Sequence, residues 1–160
     1  MKVLVIYYSS TGNTEELAKE VAKGVEEVDG VESILKRAED VKEEDFLEAK
    51  AIIAGSPVYF GSMASELKRV FEKFVHLRDK MENKVGAAFA TSGDESGGKE
   101  TTMMSILQAM LIYGMIVVGD PMDATGHYGT ACCGRPGDEA KRNARKLGKR
   151  VAEVAKKIWS

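Results

Sequence analysis

The chain has 160 residues, 44% hydrophobic and 30% charged, with 23 Lys and Arg against 25 Asp and Glu, for a net charge of −2. These totals fit one folded domain, residues 1–160, long enough to bury a core without cross-links. The near-neutral balance argues against nucleic acid as the main partner. No apolar stretch is long enough to enter and cross a bilayer, and the opening apolar run is too short for a signal peptide.

In chain order, "KVLVIYY" (2–8) reads as a strand buried on both faces. Residues 14–28 read as a helix with Leu17, Val21, Val25 and Val28 inward. Residues 31–37 form a weaker strand, and a short acidic helix is expected near 43–48. "AIIAGS" (51–56) is another buried strand, stopped by Pro57. Residues 63–75 are helical, with Met63, Leu67, Val70, Phe71 and Phe74 on one stripe. A strand at 85–91 precedes a helix at 98–113 with Met103, Leu107, Met110 and Leu111 on one face. A short strand at 115–118 and a long loop at 119–136 lead to a last helix, opened by Pro136 and Asp138. Its inward stripe is Ala140, Ala144, Leu147, Val151, Ala155 and Ile158. Five strands alternating with helices imply a mostly parallel sheet covered on both faces. Ligands then bind at the C-terminal ends of the strands, in loops 9–14, 56–62, 91–98 and 119–136.

The first of these loops is Ser9-Ser10-Thr11-Gly12-Asn13-Thr14. It places side-chain donors and one Gly where a helix begins, and the backbone N–H groups there lack intrahelical acceptors. Together with the helix dipole, that combination suits a phosphate better than a bare N-cap. The Lys of an ATP-type loop and the three glycines of a dinucleotide fingerprint are both missing, which leaves a single phosphate held by neutral donors.

At these residues the sequence resembles the flavodoxin family, whose first loop reads roughly T/S-x-T-G-x-T. The stretch from Gly55 to Phe71, "GSPVYFGSMASELKRVF", is similar to S-P-V-Y-F/W-G segments of flavodoxin-like proteins, quinone reductases and FMN reductases. The resemblance runs from Lys2 to the last helix. It implies a flavodoxin-like, doubly wound, five-stranded parallel sheet of order 2-1-3-4-5, helices on both faces, in the α/β class. Flavodoxin is the type example of that order. It also implies FMN as cofactor, with the phosphate on Ser9, Ser10, Thr11, Gly12, Asn13 and Thr14. Pro57, Val58, Tyr59, Phe60 and Gly61 would meet the ring. The Phe60–Gly61 peptide is the candidate for the flip by which flavodoxins offer a carbonyl to the reduced ring. Thr91, Ser92, Gly93, Asp94 and Gly97 would meet the ribityl chain and pyrimidine end. A carboxylate at about 8 Å from the ring, from Asp94 or Glu95, would oppose reduction by about 2 kcal/mol at an effective dielectric of ~20. The plainer reading is two solvated loop carboxylates. His127 and Tyr128, in "GHYG", complete the expected contacts. No catalytic residue and no metal ligand is expected.

Cys132 and Cys133 are adjacent, which strains a disulfide between them; they read as reduced thiols in a cytoplasmic protein. The basic run Lys141, Arg142, Arg145, Lys146, Lys149 and Arg150 reads as a solvated face, with a docking patch for an acidic partner as the alternative. A receiver-type signalling module is set aside, since the first loop holds hydroxyls where an acidic pair is needed. The leading expectation is a flavodoxin-type carrier passing electrons between redox partner proteins. The alternative is an FMN-dependent quinone oxidoreductase, with NAD(P)H as transient donor, a quinone as acceptor and a homo-oligomeric assembly in reach.

Overall fold

In the first strand, Val3, Val5 and Tyr7 are buried on one face and Leu4 and Ile6 on the other, so helices must cover both. The computed structural model describes all residues, Met1–Ser160, and shows that arrangement. The elements are β1 (Lys2–Tyr7), α1 (Asn13–Glu26), β2 (Glu32–Arg37), α2 (Glu43–Glu48), β3 (Ala49–Pro57), α3 (Ser65–Lys73), β4 (Val85–Ser92), α4 (Lys99–Ile112), β5 (Ile116–Val117), β6 (Gly129–Cys133) and α5 (Asp138–Trp159). The parallel sheet runs β2-β1-β3-β4-β5, with β6 also on β4. Helices α1 and α5 cover one face; α2, α3 and α4 cover the other.

Three expectations change. The helix expected over 63–75 begins only at Ser65, and a 3-10 segment, Val75–Lys80, follows it. Leu111 and Ile158, both expected to face inward, are exposed, and Ile106 fills the inward face of α4 in place of Leu111. The fifth strand is split. β5 pairs with Val85 and Gly86, the chain leaves the edge through residues 118–128, and β6 resumes on Ala88 through Ser92. The loop expected over 119–136 thus contains a strand. Its run "GTACC" is short and small, and it pairs on one side only, so it carries little periodic signal.

The helix that follows the first loop is locked by α5. A Cβ on Gly24 would lie 2.0 Å from the Arg145 carbonyl oxygen, and one on Gly148 would lie 2.0 Å from that of Val21. The two backbones therefore touch where a methyl cannot fit. Beside that contact runs an ion-pair ladder of Lys141 with Glu16, Arg145 with Glu20, and Lys149 with Glu27. Burial alone would push the Glu20 carboxyl up, but Lys23 and Arg145 hold it below its ordinary range. Much of the basic run on α5 is therefore partnered with α1 and is not simply a solvated face. Replacing Gly148 with Ala forces the helices apart. We expect a loss of about 1–3 kcal/mol in chemical denaturation, whereas Gly137→Ala, with open space around its Cβ position, stays close to wild type.

Candidate functional site

The C-terminal ends of β1, β3, β4 and β6 bring four loops together, at the point where strand order reverses between β1 and β3. The loop after β1 turns at Gly12, whose φ of +97° suits only a residue without a side chain and whose Cβ position is open space. The Gly12 N–H donates to Ser9 Oγ at 3.0 Å. The N–H groups of Ser10, Thr11, Asn13, Thr14 and Glu15 have no acceptor within the chain, and no side chain caps α1. Nor do the side chains of Ser10, Thr11 and Asn13 have a partner. The two carboxylates in the first turn do not fill this cradle: Glu15 pairs with Lys19 and Arg37, and Glu16 with Lys141 and Arg135. Lys141 and Arg135 hold Glu16 below its ordinary range. What remains is a ring of neutral donors at the positive end of a helix, an arrangement with the chemistry to hold a monoanion or dianion.

Thr14 and Thr91 sit beneath it. Their hydroxyls share a buried 2.7 Å bond that ties the loop to β4. Arg37, at the end of β2, donates to the Ser9 carbonyl at 3.2 Å and steadies the loop from the other side.

The loop after β3 is a tight hairpin. Tyr59 and Ser62 exchange backbone bonds of 3.1 and 3.0 Å, and the two residues between them, Phe60 (φ +52°) and Gly61 (φ +73°), both have positive φ, as a type I′ turn requires. Phe60 is fully exposed and is no part of the core. Tyr59 packs edge-on against Tyr8, ring centroids 6.3 Å apart. The base of the loop is anchored by Val58 N–H on the Thr91 carbonyl at 2.8 Å and by Ala64 N–H on Ser56 Oγ at 2.8 Å.

The loop after β4 closes on itself. Ser92 Oγ donates to the Asp94 carbonyl, Gly97 N–H does the same, and the Asp94 carboxylate accepts from Ser96 N–H at 2.9 Å. Glu95 lies in solvent beside Lys99. Both carboxylates are exposed, Asp94 serving its own turn and Glu95 paired with Lys99.

A model for NADPH-dependent FMN reductase matches residues 1–129. The chain belongs to this family. It is 38% identical over 159 residues to a flavodoxin of Aquifex aeolicus, covering 95% of this chain and 85% of that one. It is 36% identical to an NAD(P)H dehydrogenase (quinone) of Archaeoglobus fulgidus, covering 98% of each, over an alignment of 189 positions that is longer than this chain. In fold it matches a flavodoxin, WrbA-like protein from Agrobacterium tumefaciens with a TM-score of 0.84 at 24% identity, over 98% of both chains.

As a member of this family, the chain brings Ser9–Thr14, Pro57–Gly61 and Thr91–Gly97 to one end of the sheet. His127 and Tyr128 stand apart from that group. They precede Gly129, which pairs with Ala88, four residues short of the Ser92–Cys133 pair at the strand end. At ~3.3 Å per residue their backbone lies roughly 13 Å back along the strand. The residues that do reach the end from this side are Cys133 and Gly134, whose N–H donates to the Ser92 carbonyl at 2.8 Å. Reading "GTACC" as the second half of the fifth strand would have found them. Nothing in the sequence marked Arg37. Cys132 is pushed up to about 11 by burial first and by the neighbouring Cys133 thiol second, so it is a packed and unreactive thiol.

The two threonines separate by role. Thr11→Val removes an exposed donor and weakens binding of a flavin phosphate by roughly 1 kcal/mol with the melting temperature unchanged. Thr14→Val orphans the buried Thr91 hydroxyl and also lowers unfolding stability, by about 1–3 kcal/mol. Fluorescence titration with FMN and thermal unfolding distinguish the two effects.

Proposed function

We propose that the chain is an FMN-binding electron-transfer flavoprotein of the flavodoxin type. The carrying observation is the set of unpaired N–H groups at Ser10, Thr11, Asn13, Thr14 and Glu15 around an open glycine turn, which fits the terminal phosphate of FMN. Pro57–Gly61 and Thr91–Gly97 would hold the rest of the molecule. When bound, FMN supplies the redox chemistry, and the chain supplies binding, orientation and electrostatics. The flavodoxin of A. aeolicus, similar over most of both chains, supports this reading. Its partners would be redox proteins, and a cytoplasmic setting suits the free thiols of Cys132 and Cys133. No helix is long and apolar enough to cross a membrane.

One observation favours a second reading, an NAD(P)H-dependent quinone oxidoreductase. Turning over the Phe60–Gly61 peptide converts a type I′ turn to type II′, which places Phe60 in a region of positive φ that is nearly exclusive to Gly. Gly61 is free to flip but Phe60 is not. The hairpin is thus held in one form, as suits transfer of electrons in pairs. The quinone dehydrogenase of A. fulgidus, similar over its whole length, is in keeping with it.

Anaerobic stepwise reduction of the FMN-loaded protein, followed by visible absorbance, decides between them. Two resolved one-electron steps support the carrier. A single two-electron step gives the lead to the oxidoreductase. In either case Phe60→Gly is expected to move the two steps further apart. An unchanged separation contradicts the role given to the Phe60 backbone.

A further inference from the structure

The fold distributes charge unevenly. α5 alone carries eight Lys and Arg against three Asp and Glu, while the whole chain is at −2. Next to the ladder to α1, this helix borders a groove of about 530 Å³ with no hydrophobic residue in its lining, completed by Glu27 of α1 and by Pro121 and Asp123 of the loop that splits the fifth strand, so that five cations stand against the three carboxylates of Glu27, Asp123 and Glu153. Five of the six cations of the basic run face it: Arg142, Arg145, Lys146, Lys149 and Arg150. Arg142 makes no ion pair, and neither does Arg150. Arg150 Nε is moreover buried without any acceptor. A buried guanidinium N–H left unpaired costs free energy that an incoming anion would recover. Lys146 pins the loop wall by bonding both the carbonyl and the carboxylate of Asp123 at 2.8 Å.

We propose that this groove is a docking site for an acidic segment, rich in Asp and Glu, of a partner protein. From Arg142 to Arg150 the helix rises roughly 12 Å, the span of about four residues of extended chain. Guanidinium groups at both ends of this stretch match carboxylates in bidentate fashion. Of the cations between them, Lys146 and Lys149 sit in exposed surface pairs and can exchange those pairs for incoming carboxylates at little cost, whereas Arg145 stays with the buried Glu20. The groove lacks the aromatic or apolar wall that a nucleotide base needs, so a polypeptide fits it better than a nucleotide. The site lies along the side of the molecule, on α5, and does not depend on which electron-transfer reading holds.

The test is fluorescence anisotropy of a labelled oligoglutamate peptide titrated with FMN-loaded protein at low and at physiological ionic strength. We expect saturable binding that weakens with salt. Arg142→Ser combined with Arg150→Gln should weaken it about tenfold or more, and Lys80→Ser combined with Lys157→Ser, which removes the same charge elsewhere, less than about twofold. Retained FMN content and melting temperature check the fold. If the first pair fails to fold, Arg142→Ser alone should still weaken binding by about threefold. Equal losses in the two pairs reduce the effect to net charge and overturn the proposal. So does tighter competition by inorganic tripolyphosphate than by unlabelled oligoglutamate, which marks a phosphate site. A dimer in sedimentation that dissociates with Arg142→Ser overturns it as well, since the groove is then closed by a second copy.

Discussion

The start of α1 has more hydrogen-bond donors than the chain can satisfy, and much of the fold is arranged around that imbalance. A helix N-terminus always leaves N–H groups without partners, and most chains cap them. Here Gly12 takes a left-handed turn that carries the loop away from them, and no side chain reaches back. Glu15 and Glu16, the anions best placed to occupy the cradle, are drawn outward by Arg37, Lys19, Lys141 and Arg135. The positive end of the helix is thereby left without an anion from the chain, as the proposed phosphate site requires. Holding it in position requires that α1 not move. The backbone contacts at Gly24 and Gly148, the ladder of ion pairs to α5 and the buried Thr14–Thr91 bond each remove one way in which it could.

Around that fixed point the other loops differ in stiffness and in what they present. In the 92–98 turn the Ser92 hydroxyl, the Asp94 carboxylate and the Ser96 and Gly97 amides bond within the turn, while the amides of Gly93, Asp94, Glu95 and Gly98 have no acceptor in the chain. The Tyr59–Ser62 hairpin exposes a whole aromatic ring and holds its backbone in a left-handed conformation that a Phe adopts at some cost. Strain of this kind persists only where the surroundings determine it. Here they do, through the paired Tyr59 and Ser62 amides and the anchors at Val58 and Ala64. In the proposed function, the backbone of Phe60, beside the glycine, is what limits the peptide flip, since the freedom of Gly61 alone is not sufficient.

The parallel sheet and the first loop were legible in the sequence for physical reasons, while the strand order came with the family resemblance. Strands buried on both faces are continuous apolar runs, and a cluster of hydroxyls before an amphipathic helix has few other uses. Of the fifth strand only the first half was legible, as the short strand over 115–118. The second half, residues 129–133, pairs on one side only and is set off by an excursion with two glycines, so it has no period long enough to read. That split also displaced His127 and Tyr128, which depended on a single strand ending before them. Phe60 was ambiguous because aromatic residues serve cores and surfaces alike. Its positive φ belongs to the hairpin, which no single residue announces. The basic run on α5 had two readings. The first is modified, since Lys141, Arg145 and Lys149 partner α1; the second is the proposed docking surface, which rests on Arg142 and Arg150, the two cations without an ion pair.

The central claim is that the loop after β1 binds a phosphate and thereby selects FMN over flavins without one. The direct measurement is the affinity of the apoprotein for FMN against riboflavin, which shares the ring and ribityl chain. With several charge-assisted bonds from the Ser10–Glu15 amides, FMN should bind about a hundredfold more tightly or better, equivalent to roughly 3 kcal/mol. Equal affinity for the two would mean that the unpaired amides do not hold the phosphate, and would contradict the account at its base.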